Sequence, residues 1–502
     1  MINYFKYITK NTAIYSIGQL APKLVGFILL PFVTNPKYLS AADYGKLSLL
    51  EASTLFLVTM FGFGLNYALE RWYYDKEYIN KRKSIIFTLL IAILTITAVL
   101  WGIISMFSGD ISYFLIGKED WSYMLNLLII CSAFESIILI PTTLLRLAEK
   151  PILFVSSSLI RFFIYLVFAI YFLVFRNDGL EGIYEARLFS LIAILLTLTP
   201  FIVKNISIRF EWSTLKEMLF FRLPLVLSSL SYVIFNITDR FSLRVLSASS
   251  FKDVGVYSLG YTITNSVKLV VLSSIWLSVR PLIYKMMDDP NSKRFYSKLM
   301  KYMIFSVACL LLVISLFGQE AILIITGSDI YNNSFFLIPI ISIALIFDTL
   351  KEISQSIGLN IVKKTGIMGI LMVVITVLNI IVNILLIPPL GIYGAATSTA
   401  ISQIIFFFFI YRYAQKYYPV PYEIKKILFM VVILAFTMGI SLLTYNVPIL
   451  VRIPVKVLIL ISFPIILYYV KFYEEIEITR IKQIWRKWKN PTEWSKIIKD
   501  SE

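Results

Sequence analysis

Successive apolar stretches, each about 20 residues long, are the feature that most constrains this chain. An α-helix of that length crosses the hydrocarbon of a bilayer, roughly 30 Å thick, and satisfies all of its backbone hydrogen bonds there. Apolar residues make up 58% of the 502 positions and charged residues 15%, whereas soluble domains contain roughly 45–50% and 25%. The sequence therefore predicts an all-α, polytopic membrane protein.

The apolar stretches predict about fourteen transmembrane helices separated by short loops. Their approximate bounds are 11–33, 46–69, 84–107, 122–145, 152–175, 183–203, 218–239, 254–279, 300–318, 334–357, 366–388, 391–413, 425–445 and 452–472. With the N-terminus inside, most of the 47 Lys and Arg residues lie in cytoplasmic segments, as the positive-inside rule requires. Both termini are therefore predicted to be cytoplasmic. This topology accounts for the net charge of +17 without a nucleic-acid partner.

Two short sequence matches, about 210 residues apart, indicate an internal repeat. DYGKLSL at Asp43 is matched by DVGVYSL at Asp253, and GIYEA at 182–186 is matched by GIYGA at 391–395. The matches open spans two and eight, and spans six and twelve. Because six is even, both copies enter the membrane in the same direction, which predicts two parallel six-helix lobes around a central cavity. The predicted units are an N-lobe, a C-lobe, two extra helices and a basic amphipathic cytoplasmic tail, at 1–212, 213–418, 419–473 and 474–502.

Polar side chains recur at helical spacing on several spans, which is the pattern expected of a cavity wall. On the first span, Asn11, Tyr15, Gln19 and Lys23 follow one stripe. The uncharged residues predicted to line the cavity are Gln19, Tyr232, Asn236, Tyr261 and Asn265. For any single residue of this kind, a contact between helices is an open alternative.

Ionisable residues inside the spans indicate function, because each costs about 2.5–3.5 kcal/mol on insertion scales. Lys23, Arg161 and Lys268 lie deep and lack an acidic neighbour one turn away, so we predict that they bind substrate. The full set of candidate cavity cations is Lys23, Arg161, Lys268, Arg240 and Lys351. The candidate ion-coupling carboxylates are Glu51, Glu135, Asp348 and Glu352. A mutual ion pair between Asp348 and Lys351 and a snorkelling Glu51 are alternatives.

Catalytic and cofactor signatures are missing from the sequence. The chain has no histidine, the commonest metal ligand, and it has no phosphate-binding P-loop and no GxSxG motif. We therefore predict no enzyme activity and no cofactor. If an ion gradient drives the protein, the coupling H⁺ or Na⁺ would have to bind to carboxylate side chains.

Several segments, taken in order, carry a family resemblance. They are LSAADYGKLSLL, GFGLNYALERWYYD, LLRLAEKP, RLPLVLSSL, NITDRFSL, FKDVGVYSLGY and NIIVNILLIPPLGIYGAATSTAIS. Their order and spacing resemble the Wzx-type polysaccharide flippases of the multidrug/oligosaccharidyl-lipid/polysaccharide exporter superfamily. The resemblance covers spans one to twelve.

The resemblance implies a location in the bacterial inner membrane and a substrate of undecaprenyl pyrophosphate that carries an oligosaccharide repeat unit. Alternating access would move this lipid-linked oligosaccharide from the inner to the outer leaflet, for O-antigen, capsule or exopolysaccharide. Cavity cations would engage the pyrophosphate, and the polyprenyl tail would follow spans thirteen and fourteen. Glycan polymerase and chain-length machinery are the implied partners.

Three other functions remain open. A multidrug/cation antiporter of the same superfamily would be favoured by a net acidic cavity. A lipid II flippase would differ in being essential for growth. A multi-span polysaccharide polymerase or ligase would need a large external loop with catalytic residues, which this sequence lacks.

Overall fold

The computed structural model describes residues 25–117 and 122–475, together with Thr479, and over these residues the chain is helical without any β-strand. The helices are α1 (25–33), α2 (Ala41–Gly62), α3 (Leu65–Trp72), α4 (Arg82–Met106), α5 (Ser108–Ile116), α6 (Ser122–Leu147), α7 (Pro151–Ile170), α8 (Gly179–Lys204), α9 (Trp212–Leu246), α10 (Ser250–Val267), α11 (Ser273–Lys285), α12 (Ser292–Thr326), α13 (Asn333–Gln355), α14 (Thr365–Leu390), α15 (Ile392–Tyr417), α16 (Ile424–Leu442) and α17 (Ile449–Tyr469). Short 3-10 turns (Lys76–Lys81, Asp329–Tyr331) and π-helical turns (Tyr171–Arg176, Lys268–Leu272, Ser356–Asn360) adjoin them.

Within this described part, ten helices are long and apolar enough to cross a membrane, or twelve if two bent pairs each form one span. The bends are 44° between α2 and α3 and 50° between Leu223 and Leu225 of α9. These helices confirm the predicted all-α membrane fold. The count of fourteen stays a prediction, because α1 is described only from residue 25 onward and α10–α11 is not among these helices.

Local sequence explains where α2 begins and why it bends into α3. The Ser40 side chain caps the first turn by accepting a hydrogen bond from the Asp43 backbone N–H, and Asp43 lies where the helix dipole favours a negative charge. Phe63 and Gly64 then adopt left-handed conformations with φ of 45° and 64°. Glycine takes such a conformation without a steric penalty, so the chain turns here.

The helices pack in two groups. α2–α8 form the first helix group, α9–α15 form the second helix group, and α16 and α17 pack against α12 of the second. This is the arrangement that the predicted lobes and two extra helices would give, although the lobe boundaries stay a prediction. The predicted amphipathic tail lies outside the described residues, except for Glu474, Glu475 and Thr479.

The two groups meet where α2 crosses α10. A Cβ atom at Gly45 would clash with the backbone of α10, and one at Gly255 would clash with the backbone of α2. Next to this crossing, the Oγ atoms of Ser48 and Ser258 are 2.7 Å apart, and these serines are 210 positions apart in sequence. Gly45 and Gly255 have the same offset. Such reciprocal contacts are what a local twofold axis between two repeat copies produces.

Candidate functional site

Three connected spaces lie between the two helix groups. Cavity A, of about 590 Å³, is lined by the end of α2, by α3, α9, α13 and α14. Cavity B, of about 520 Å³, is lined by α1, the first half of α2, α7, α8, α9 and α10. A neck of about 40 Å³ shares lining residues with both, and Tyr232 lines all three. The spaces therefore form one path along the interface.

The structure brings together the predicted uncharged residues that it describes. Tyr232, Asn236, Tyr261 and Asn265 all line cavity B and the neck. Gln19 and Lys23, which were predicted with them, lie outside the described residues. Helical spacing thus located one polar wall, although the binding role of these side chains stays a prediction.

A cluster of three charged residues, the Glu135 triad, joins three helices of the first group. Glu135 of α6 accepts a hydrogen bond from Arg161 of α7 at 2.5 Å and another from Arg187 Nε of α8 at 3.0 Å. Both arginines line cavity B. Arg161 has no acidic neighbour on its own helix, but its partner comes from a different span, which sequence spacing does not reveal. Arg187 was missed because it lies near the start of the predicted sixth span, at 183–203, where a cation can extend to the membrane surface.

A second cluster, the Asp348 triad, belongs to the second group. Asp348 of α13 forms ion pairs with Lys268 and with Lys351, and all three residues line cavity A and the neck. The alternative of an Asp348–Lys351 pair is therefore confirmed. Lys268 also has an acidic partner, again on another helix, so the reasoning that singled it out as unpaired was incomplete.

The carboxylates of the two triads lie on corresponding helices of the two helix groups, α6 and α13, whereas their cations come from elements that do not correspond. Phe134-Glu135-Ser136 of α6 matches Phe347-Asp348-Thr349 of α13 in sequence, and each carboxylate is shared by two cations. A partly buried carboxylate is stabilised when paired cations replace its lost hydration. Each triad by itself therefore holds one positive charge in excess.

Two arginines on the path form no ion pair with a carboxylate of the described residues. Arg240 of α9 lies over the Tyr261 ring, 4.9 Å from its centroid, and donates to the Asn236 carbonyl oxygen at 3.1 Å in cavity B. Arg222 is only 5% exposed and lies over the Tyr67 ring, 5.1 Å from its centroid, in cavity A. The Nε atom of each lacks a hydrogen-bond partner.

Sequence analysis predicted Arg240 but missed Arg222. Arg222 lies near the start of the predicted seventh span, where a cation ordinarily extends toward the membrane surface. In the structure it is buried beside Gly64, because the bend between α2 and α3 brings the chain against it. A residue at a span end was thus placed in the cavity by a bend that the sequence did not show.

The four candidate coupling carboxylates have different surroundings. Glu135 and Asp348 are occupied by their triads, and Glu352 forms an ion pair with Arg280 at 3.1 Å. Glu51 is exposed to cavity B and forms no ion pair within the described part of the chain. Three of the four carboxylates therefore already neutralise protein cations.

A further carboxylate, Asp239 of α9, was not among those candidates. It is 4% exposed, lines the neck and accepts hydrogen bonds from Tyr257, from Thr399 at 2.5 Å and from Asn383 at 3.0 Å. The Asn383 Oδ1 atom and the nearby Gln403 Oε1 atom receive no hydrogen bond. Within the described residues, no three acidic or cysteine side chains are grouped to hold a metal ion.

Membrane-spanning helices in two groups around a charged central path define the class of the protein, which has the fold of MOP-superfamily transporters. Solved structures show this fold directly. Lipid II flippase MurJ in an inward closed conformation matches with a TM-score of 0.65 and 16% identity, over 92% of this chain and 100% of that chain. An inward-facing multidrug resistance MATE family transporter of the MOP superfamily matches with a TM-score of 0.61 and 16% identity, over 81% and 94%. The Vibrio cholerae MATE transporter VcmN in the bent form gives 0.51 and 13%, over 82% and 96%.

The profile of the family described as "Polysaccharide biosynthesis protein" matches residues 8–287. This is more than half of the chain, so the protein belongs to the polysaccharide biosynthesis protein family. No curated protein sequence matches the chain. Family and fold agree with the resemblance carried by the sequence motifs, and they describe a multi-pass membrane protein of a polysaccharide biosynthesis family.

Proposed function

We propose that the protein is a Wzx-type flippase for undecaprenyl-pyrophosphate-linked oligosaccharide. It moves the repeat unit from the inner to the outer leaflet of the bacterial cytoplasmic membrane, for the synthesis of surface polysaccharide. One observation carries the proposal: Arg222 in cavity A and Arg240 in cavity B offer guanidinium groups that form no ion pair with a carboxylate of the described residues. Guanidinium groups bind phosphate oxygens through two parallel hydrogen bonds.

The cations form a series along the path, which suits a substrate whose charge moves through it. Arg222 stands in cavity A, the Asp348 triad at the neck, and Arg240 with the Glu135 triad in cavity B. In the predicted topology cavity A is on the cytoplasmic side. The pyrophosphate would pass from one cationic group to the next, so its charge would not enter hydrocarbon without compensation.

The described state is closed at the far end of cavity B. There α2 and α10 are in contact at Gly45 and Gly255, which in the predicted topology is the outer side. Alternating access requires this contact to separate while the opposite end closes.

Asp239 is the carboxylate that we assign to a coupling Na⁺ or H⁺. Glu135, Asp348 and Glu352 are less suited, because each already neutralises a cation, and Glu51, which forms no ion pair with a described residue, is the second candidate. Asp239 is surrounded by hydroxyl and amide groups, and the unpaired Asn383 Oδ1 atom adds an acceptor for a cation. Loss of Na⁺- or H⁺-dependent transport in Asp239→Asn would support the assignment, and unchanged ion dependence would contradict it.

The proposal is tested in cells that lack their own copy of the protein. Arg222→Ala and Arg240→Ala should each lower the rate of surface glycan appearance by roughly 10- to 100-fold, because a hydrogen bond to a charged group contributes about 1.5–3 kcal/mol. Arg209→Ala is the matched control, since this side chain is 72% exposed and lies outside the three spaces. Membrane insertion is measured in each variant. Normal glycan in both cavity variants would refute the proposal.

The competing functions give different results in the same cells. Arg222 and Arg240, which form no ion pair with a described carboxylate, would repel a cationic drug, so we expect no change in cationic-dye efflux. Loss of a lipid II flippase would stop growth, whereas loss of a surface-glycan exporter should remove only the glycan. Co-purification with a glycan polymerase would add the proposed partner.

A further inference from the structure

A large apolar groove runs along the outside of the interface between the two helix groups. This lateral groove has a volume of about 930 Å³, and its apolar lining comes from α2, α4, α5, α6, α9 and α14. Its polar lining residues are Ser53, Asp110, Thr238 and Ser242. The flanking helices α4, α6 and α14 are candidate membrane spans, so the groove faces hydrocarbon.

The lateral groove is separated from the central path by a single layer of side chains. This layer, the α2–α9 seam, consists of Ala52, Val233 and Ile237, which are buried against Phe56 and Phe241. Ile237 lines both cavity B and the groove. Ala52 borders cavity B while its neighbour Ser53 borders the groove. A small separation of α2 from α9 would therefore join the polar cavity to the apolar groove.

One end of the groove is closed by contacts of α5. Arg244 of α9 donates from Nε to the Phe114 carbonyl oxygen at 3.0 Å and from Nη2 to the Tyr113 carbonyl oxygen at 3.3 Å. The Phe114 ring is stacked on Phe241, with centroids 5.8 Å apart and planes at 2°. The groove thus has an aromatic wall and a fixed end, unlike an open helix surface in lipid.

We propose that the lateral groove holds the hydrocarbon chain of the lipid-linked substrate. The part of the substrate that joins this chain to the head group would cross the α2–α9 seam. This inference rests on the proposed flippase function. The charged head group in cavity B and the apolar chain in lipid belong to one molecule. Two helices that separate the cavity from the lipid must therefore move apart to let the molecule span both. The seam is where the wall between them is one side chain thick.

The volume of the groove also suits this occupant. At about 30 Å³ for a group the size of a water molecule, 930 Å³ accommodates roughly thirty methylene-sized groups. That is room for a large part of a long prenyl chain. The two acyl chains of a phospholipid would fit as well, so the experiment below separates these occupants by the mass of the adduct. The site differs from the path along spans thirteen and fourteen that the family resemblance suggested, since α16 and α17 do not line this groove.

A photo-crosslinking experiment identifies the occupant in membranes of cells that make the substrate. A benzophenone amino acid replaces Val245, which is 63% exposed in the groove, or Val432 of α16, which is also 63% exposed but lies outside it. Mass spectrometry should find a prenyl-containing adduct at position 245 and not at position 432. Phospholipid adducts alone at position 245, or equal prenyl labelling at both positions, would overturn the inference.

A transport assay in proteoliposomes gives a second, independent readout. Val245→Trp should lower the flipping of a long-chain substrate by about tenfold, because overfilling a packed site is unfavourable. It should affect a substrate with a short prenyl chain much less, and Val432→Trp should affect neither. Equal loss for both chain lengths would contradict a chain-binding role.

Cavity variants separate the two proposals. If Arg222→Ala and Arg240→Ala abolish flipping while Val245→Trp behaves like Val432→Trp, the flippase function stands and the groove assignment fails. If the cavity variants also flip the substrate normally, the proposed function itself fails.

Discussion

Replacing Glu135 with glutamine should destabilise the first helix group, because Arg161 and Arg187 share this one carboxylate. The side chain of Glu135 is 15% exposed, and those of Arg161 and Arg187 are 24% and 18% exposed. Leaving a buried charge without its partner costs about 3–5 kcal/mol. Since cavity B gives these side chains some contact with water, we expect about 3 kcal/mol, the lower end of that range.

The protein contains its own reporter for this experiment. Cys131 is fully buried and lies one helical turn before Glu135 on α6. Cys309 is only partly buried, so the experiment uses a Cys309→Ser background. A maleimide dye that becomes fluorescent on reaction then reports unfolding of the purified protein at Cys131 during heating. Glu135→Gln should lower the midpoint of this transition clearly. The double variant Glu135→Gln/Arg161→Gln should recover part of the loss, because it restores the original charge balance.

Glu352→Gln provides the matched control. Glu352 forms an ion pair with a single arginine, Arg280, whose side chain is 59% exposed. An exposed ion pair contributes only about 0–1 kcal/mol. Its midpoint should therefore stay close to that of the unmodified protein. Equal midpoints for Glu135→Gln and Glu352→Gln, or a double variant less stable than Glu135→Gln, would refute the reasoning about the shared carboxylate.

Two further predictions concern the α2–α10 contact, which alternating access requires to separate, and a charged contact outside the spans. The Oγ atoms of Ser48 and Ser258 are 2.7 Å apart, so cysteines at these two positions should form a disulfide that holds α2 and α10 together. Transport should then stop until a reductant is added. Normal transport by the oxidised variant would show that the α2–α10 contact does not have to separate. Burial alone would raise the pKa of Glu423, but hydrogen bonds from Lys298 and Lys426, with the charge of Lys301, lower this pKa to about 2. Because the folded value lies below the ordinary 4.5, this stabilisation is present above pH 4.5 and should be lost as the pH falls through about 2. Glu423→Gln should remove that part of the pH dependence of thermal unfolding, and an unchanged profile would contradict it.

The fold was largely predictable because apolar length and helical periodicity act locally in the sequence. The repeat was also visible, since DYGKLSL and DVGVYSL share a pattern that the structure places at the α2–α10 contact. The number of spans was harder to predict from the sequence. α10–α11 carries Lys268 and Arg280 and is not among the helices that length and apolarity alone identify as spans.

The site was predicted less completely, because ion pairing depends on which helices become neighbours. Nothing near Arg161 or Lys268 in sequence indicates Glu135 or Asp348 as its partner, since 26 and 80 residues separate the members of these pairs. Arg222 was hidden by its place near a span end. Asp239 was visible in the polar stripe of span seven, but its hydroxyl and amide neighbours come from α10, α14 and α15, which a single helical pattern does not bring together.

The most direct test of the central claim uses purified protein in liposomes that contain undecaprenyl-pyrophosphate-linked oligosaccharide. The account predicts flipping by the unmodified protein and by Arg209→Ala, and loss of flipping in the double variant Arg222→Ala/Arg240→Ala. This variant removes the two cavity guanidinium groups that form no ion pair with a described carboxylate. Undiminished flipping by the double variant, or no flipping of this lipid by the unmodified protein, would contradict it.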